Sequence, residues 1–467
     1  MTGLEPDMNP AAPPAREPSD NPAPPDPVAG TTAPSHAGAT PDADTPREAL
    51  IYLGGLATGT ERKTVAGVVA RLENALDKAD TSRATWRVHW SDAAVRRAGM
   101  SDPAEAAATI YRKHDDTEVP VIDVFQFDWS KQLMADWDGR SLFTRTLYVL
   151  SSLLKVWEYP KKFKAAGKTA RGKMQLALAL FMLAGMVFYA GALLFATYET
   201  VHQVWQTTAG KSAATPVVKA DPTHPQTRKP GTATTWQRLT ILGGLGIALL
   251  KKQGDRLRTS GAALTAVDHY VRLGNRRQNL VGELEELCER LSKTKRYSTV
   301  QFVGYSFGAI VAIDALFPTT GLPAGSFAAV RGLTTIGAPY DFVRAIRTNW
   351  REDRHVGPTR PRWINIYSPT DVLGSNFRDD NSDGEPTRGI AATTTVDGGN
   401  GASPVVEIIP DANLTWNLGV QLTFLNLLML SGFTNHGRYW GDDAEVDHNV
   451  FDDLVTGMYA GPTFRPA

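Results

Sequence analysis

Apolar and polar positions follow two rhythms along this chain, and one long stretch obeys neither. Ala49-Leu50-Ile51-Tyr52-Leu53 is a short apolar run ending in Gly54-Gly55-Leu56-Ala57-Thr58-Gly59. Such a run predicts a buried strand entering a tight glycine loop. Val65, Val68, Val69, Leu72, Ala75 and Leu76 then recur at helical spacing. Trp86, Val88 and Trp90 alternate as a strand does, and Val121 to Phe127 gives another. Further strands are expected at Thr299–Val303, Gly332–Ile336, Trp363–Tyr367 and Val405–Ile409, with helical stretches between several of them. Strands alternating with helices over this length predict an α/β domain with a mostly parallel sheet covered on both faces.

The middle of the chain breaks the pattern. Met174 to Tyr198 is 25 consecutive uncharged residues, rich in Leu, Ala, Phe and Met. As a helix it would span about 37 Å, more than the roughly 30 Å hydrocarbon core of a bilayer. A buried core helix is the plainer reading, but core helices of this size keep a polar stripe. Strands before 130 and after 298 should share one sheet, so a spanning segment must be matched by a return. Ala233 to Leu250 is the candidate, with Arg238 as its cost. Lys161, Lys162, Lys164, Lys168, Arg171 and Lys173 precede the first span, while Lys251, Lys252, Arg256 and Arg258 follow the second. The positive-inside bias then places the sheet domain on the cytoplasmic side of the membrane. Leu142, Phe143, Leu147, Leu150, Leu153, Leu154 and Trp157 predict an amphipathic helix at the interface.

Composition adds boundaries. Residues 1–46 hold 12 of the 30 prolines and almost no large apolar side chains, which predicts a disordered tail. The expected layout is therefore a tail at 1–46, a first part of the α/β domain at 47–140, a membrane-associated helical insertion at 141–258 with apolar segments 174–198 and 233–250, and a second part at 259–467. With 49 basic and 49 acidic residues and no long basic block, nucleic acid is not an expected partner. One cysteine allows neither an internal disulfide nor a paired-cysteine zinc site. It lies at Cys288 beside Leu284, Leu287 and Leu291, on a helical stripe that reads as core.

The chemistry is concentrated late in the chain. Thr299–Val303 runs into Gly304-Tyr305-Ser306-Phe307-Gly308, and Ala309 to Leu316 follows as an apolar helix. A serine on a strained strand-to-helix turn needs small neighbours, because adjoining backbone must approach closely. Glycine is 41 of 467 residues, so chance would put it on both sides of a given serine about 1% of the time. A purely structural glycine turn is the bland alternative.

With these residues the chain resembles the α/β-hydrolases of the lipase and esterase kind. In that family a serine is followed by an Asp or Glu and then a His, each at a strand end or in the loop after it. Ser306 matches the nucleophile. Asp371, in Ser368-Pro369-Thr370-Asp371 after the strand ending at Tyr367, matches the acid, with Asp341 as its rival. His436 matches the base ahead of His448 and His355. The resemblance implies an oxyanion hole from the backbone N–H groups of Phe307 and Leu56, with Gly55 the near alternative. Gly54-Gly55-Leu56 departs from the His-Gly forms common in the family. No metal or organic cofactor is implied.

Two weaker signals remain. Asp379-x-Asn381-x-Asp383-Gly384 matches half a calcium loop, but its twelfth position is Ile390 and Pro386 interrupts it, which favours a solvated loop. No charged residue occurs between Asp411 and Arg438. That stretch reads as a cover over the active site or a dip into the interface, because a third span would carry His436 across the membrane from Ser306. The expected protein is a membrane-bound serine hydrolase whose partners are the bilayer and a lipid or long-chain acyl ester. Its rivals are a catalytically silent membrane-tethered scaffold, a peptidase, and a thioesterase or esterase for a soluble substrate.

Overall fold

The computed structural model describes residues 46–55, 61–80, 84–91, 105–130, 274–321, 323–347, 354–357, 359–371, 373–378, 384–394, 405–416 and 450–459, with isolated positions that include Tyr270, Trp350, His436 and Tyr439. The first apolar run is strand β1 (Arg47–Leu53), and Ala49 to Leu53 are at most 1% exposed. A strand covered on both faces needs a continuous apolar run, and this one sits in mid-sheet. Its even and odd positions part company as a pleat requires. Ala49, Ile51 and Leu53 join one apolar core, and Leu50 and Tyr52 join the other.

Chain order gives β2 (Thr85–Trp90), β3 (Ala108–His114), β4 (Thr117–Phe127), β5 (Tyr297–Tyr305), β6 (Val330–Ile336), β7 (Arg354–Val356), β8 (Arg362–Tyr367), β9 (Ile390–Thr394), β10 (Val405–Ile408) and β11 (Ala412–Thr415). Eight of them form a mixed, mostly parallel sheet in the order β11-β8-β6-β5-β1-β4-β3-β2. Every pairing from β4 to β11 is parallel, while β3 and β2 add an antiparallel end. Helix α1 (Glu61–Ala79) and the described helix of the C-terminal region, which we number α5 (Val450–Tyr459), share the core of one face. On the other face lie α2 (Gly274–Lys293) and α3 (Phe307–Leu316). Cys288 is fully buried there among Leu284, Leu287 and Leu291. Helix α4 is Tyr340–Ile346.

The run at Val405–Ile409 is a strand, β10, but it does not extend the main sheet. It pairs antiparallel with β9 in a separate three-stranded sheet, β10-β9-β7. The edge place beside β8 goes to β11, held by Asp411, which accepts the Trp363 N–H at 2.7 Å and donates its own N–H to the Trp363 carbonyl at 2.6 Å. Among the described residues no helix is long and apolar enough to cross a membrane. The segments 174–198 and 233–250, the tail at 1–45, the stretch 417–435 and nearly all of the run from Leu142 to Trp157 lie outside the described residues.

This topology places a crevice. From β1 the chain passes to β2, beyond β4 on one side, and from β5 it passes to β6 on the other. Where neighbouring parallel strands send their connections in opposite directions, a cleft opens beyond their C-terminal ends. Here those ends are Leu53 and Tyr305. Helix α3, buried over all ten residues, starts at that point and lies against the end of β1. A Cβ on Gly308 would stand 2.2 Å from the Leu53 carbonyl oxygen and 2.4 Å from that of Gly54. One on Gly304 would stand 2.5 Å from Ala309 Cα. Gly308→Ala should therefore force α3 away from β1, at a cost of about 1–3 kcal/mol or more. Thermal unfolding checks this, and an unchanged midpoint would contradict the packing.

Candidate active site

Ser306 links β5 to α3 with φ 54° and ψ −126°. That is a left-handed φ for a residue with a side chain, a conformation costing of order 1–3 kcal/mol that surrounding structure must impose. Here the Ser306 N–H donates to the Ile336 carbonyl at 2.8 Å, and the Ser306 carbonyl accepts from Ala309 N–H at 3.1 Å. The turn lifts the hydroxyl out of the sheet at the positive end of α3. Phe307 is the first residue of that helix, so its N–H belongs to the first turn, which has no acceptor within the helix.

Three side chains converge across the strand ends. His436 Nε2 lies 2.6 Å from Ser306 Oγ, and His436 Nδ1 lies 2.8 Å from Asp371 Oδ2. The ionised Asp371 carboxylate can only accept, which assigns the proton to His436 Nδ1 and leaves Nε2 free to accept from the serine hydroxyl. Asp371 is fully buried, and Ser306 and His436 are 8% and 9% exposed. Burial alone would raise the Asp371 pKa. The positive charge of His436 and its hydrogen bond outweigh that, with help from the Leu373 N–H and the Tyr439 hydroxyl, so the carboxyl titrates below its ordinary range.

Two tyrosines and two glycines complete the setting. The Tyr439 hydroxyl donates to Asp371 Oδ2 at 2.9 Å and accepts from Ser368 N–H at 2.8 Å, fixing the acid to its own loop. Tyr305 stacks on the imidazole at 5.5 Å, and its hydroxyl donates to the His436 carbonyl. Burial, followed by the nearby Asp371 charge, pushes this phenol far above its usual range and keeps it a donor. A Cβ on Gly374 would stand 2.5 Å from Asp371 Oδ2, and one on Gly337, whose φ is +56°, would stand 2.8 Å from the Tyr439 ring. Both glycines leave the room that the carboxylate and the phenol occupy. Neither these glycines nor the tyrosines stand out in the sequence, although Tyr439 lies three positions from His436, a spacing that shares a helical face.

The rival acid is elsewhere. Asp341 Oδ1 pairs with the Arg388 guanidinium at 2.5 Å, and its N–H donates to Ser375 Oγ at 2.8 Å. His355 is on β7 in the second sheet. His448, Leu56 and residues 379–383 lie outside the described residues. Gly55 is within them, and its Cβ position would stand 3.1 Å from Ser306 Cβ, which sets the glycine loop beside the serine. Cys288 takes no part: burial, with the Glu285 charge, raises its thiol pKa strongly. Among the described residues no group of three His, Cys, Asp or Glu could hold a metal ion. No protein-family model, curated protein or solved structure matches the chain.

The Asp371 shift sets a pH dependence. A carboxyl depressed by folding adds stability that is full above its unfolded pKa of about 3.9 and is lost as pH falls through the lower folded value. Urea midpoints of the wild type should therefore fall steeply below about pH 4. Asp371→Asn should be less stable at pH 7 and show a shallower acid limb. Parallel acid limbs would contradict the assignment.

Proposed function

We infer that this chain is a membrane-bound serine hydrolase with an α/β-hydrolase fold, cleaving a carboxylic ester through an acyl-Ser306 intermediate. The observation that carries this is the continuous hydrogen-bonded chain Asp371–His436–Ser306 ending on a left-handed serine at the crevice between β1 and β5. Ser306 Oγ attacks the ester carbonyl carbon while His436 Nε2 takes its proton. The carbonyl π electrons move to oxygen, and the oxyanion accepts from Phe307 N–H and from an N–H of the glycine loop, Leu56 or Gly55. Collapse breaks the bond to the alcohol oxygen, which leaves with the proton from His436. Water, deprotonated by the same imidazole, then attacks the acyl carbon, and the proton returns to Ser306. Asp371 holds the tautomer and balances the imidazolium at both stages.

The setting supports a lipid substrate. The 25-residue apolar segment interrupts the chain between β4 and β5, whose neighbour β1 ends at the glycine loop. An enzyme seated this way on the cytoplasmic side of a bilayer would meet membrane-dissolved esters at high local concentration. The proposed partners are therefore the bilayer and a lipid or long-chain acyl ester.

Ser306→Ala and His436→Ala should each lower turnover on an ester by about 10⁴-fold or more without unfolding the protein, and Asp371→Asn somewhat less. A folded wild type with no turnover of any ester would leave a scaffold as the better reading, and activity near wild type in folded Ser306→Ala would remove Ser306 as the nucleophile. In detergent, long-chain p-nitrophenyl esters and phospholipid or acylglycerol vesicles should be cleaved faster than two- to four-carbon esters. The reverse order would remove the lipid and keep the hydrolase.

A further inference from the structure

The Phe307 side chain is gripped by two aromatic rings. The Trp129 indole packs on it at 5.4 Å between centroids, tilted by 40°. The Tyr270 ring meets it edge-on at 5.2 Å and 83°. None of the three side chains is more than 2% exposed. Each gripping ring is also tied through its polar tip to the frame of the site. Tyr270 donates to Asp314 Oδ2, near the far end of α3, at 2.8 Å. Asp314 is itself held by Trp350 Nε1–H at 3.1 Å and by the buried Arg354 guanidinium at 2.6 Å.

Trp129 does something more specific. Its Nε1–H donates to the Gly54 carbonyl at 2.7 Å. That carbonyl and the Gly55 N–H belong to one planar trans peptide and point in opposite directions. Anchoring the oxygen therefore fixes where the Gly55 N–H is aimed and where the glycine loop continues. One indole thus touches both contributors to the proposed oxyanion hole: the residue whose N–H opens α3, and the loop after β1. The two clamp residues also bracket the membrane-associated insertion in sequence, Trp129 before residue 141 and Tyr270 after residue 258, so the chain closes on a single ring where it leaves and where it returns.

We propose that Trp129 is a positioning residue of the oxyanion hole, setting the spacing between the Phe307 N–H and the Gly54-Gly55 loop, with Tyr270 bracing the same ring. This rests on the hydrolase reading. Donors aimed at charge that develops only in the transition state act on kcat and leave substrate binding nearly untouched. Loss of one such donor costs about 10²–10³-fold, and a displaced donor costs about ten- to a hundredfold.

The test uses the full-length protein in detergent, a p-nitrophenyl ester, and an alkyl trifluoromethyl ketone, which takes up Ser306 Oγ reversibly as a tetrahedral adduct. Trp129→Phe keeps a ring against Phe307 and removes the donor to Gly54. It should lower kcat about ten- to a hundredfold, leave KM within about twofold, and weaken the ketone in proportion to the loss in kcat/KM. Tyr270→Leu, which removes the second gripping ring, should show the Trp129→Phe pattern more weakly. If Trp129→Phe does not fold, Phe307→Leu, which deletes the gripped ring but keeps the N–H, should give the same kcat-only loss and ketone weakening. A folded Trp129→Phe, or Phe307→Leu in its place, with unchanged kcat and ketone affinity overturns the proposal and leaves the hydrolase standing. A wild type with no Ser306-dependent turnover of any ester overturns both.

Discussion

The site depends on one close approach, that of the first turn of α3 to the carbonyl ends of β1. Gly308 lets the helix backbone lie against Leu53 and Gly54, and Gly304 lets β5 turn back under Ala309. With those two contacts made, the residue between them has little choice, and Ser306 is held in a left-handed conformation by its bond to Ile336. Strain of this kind persists because a helix buried over all ten residues cannot shift to relieve it. The hydroxyl is thereby presented at the mouth of a crevice that the strand order creates.

A second constraint is electrostatic. A fully buried carboxylate is unfavourable unless it is hydrogen-bonded and charge-balanced. Asp371 meets this condition with the Leu373 N–H, the Tyr439 hydroxyl and the His436 ring. Tyr439 connects the acid to the backbone of its own loop, and Tyr305 connects the serine's strand to the segment that carries His436. Histidine and acid are thus tied to the same strand ends that position the serine, which is how groups 130 and 65 residues apart in sequence meet within 3 Å.

The sequence made these levels legible to different degrees. Central strands were readable because burial on both faces demands apolar runs, as in β1 and β5. Strand β3 was not, since Ala108–His114 carries Arg112, Lys113 and His114 on a half-exposed antiparallel end where no apolar run is required. Val405–Ile408 has the composition of a strand, but composition does not name its partner, and it joins the second sheet. Ser306 could be found because its turn leaves a local signature. Asp371 and Asp341 both follow strands, so what separates them is spatial: Asp371 reaches His436 Nδ1, whereas Asp341 pairs with Arg388. Gly337, Gly374 and Tyr439 act through space that distant segments share, and local pattern carries no trace of that.

Everything proposed for the function requires Ser306 to be a nucleophile activated by His436 and not a glycine-flanked turn residue. Covalent capture addresses it without knowledge of the natural ester. Membranes containing the full-length protein would be treated with a long-chain fluorophosphonate, and the adduct located by peptide mass spectrometry. Stoichiometric phosphonylation confined to Ser306 is expected, abolished in Ser306→Ala and slowed strongly in His436→Ala. An unlabelled Ser306 in folded protein, or equal labelling of wild type and His436→Ala, would contradict it.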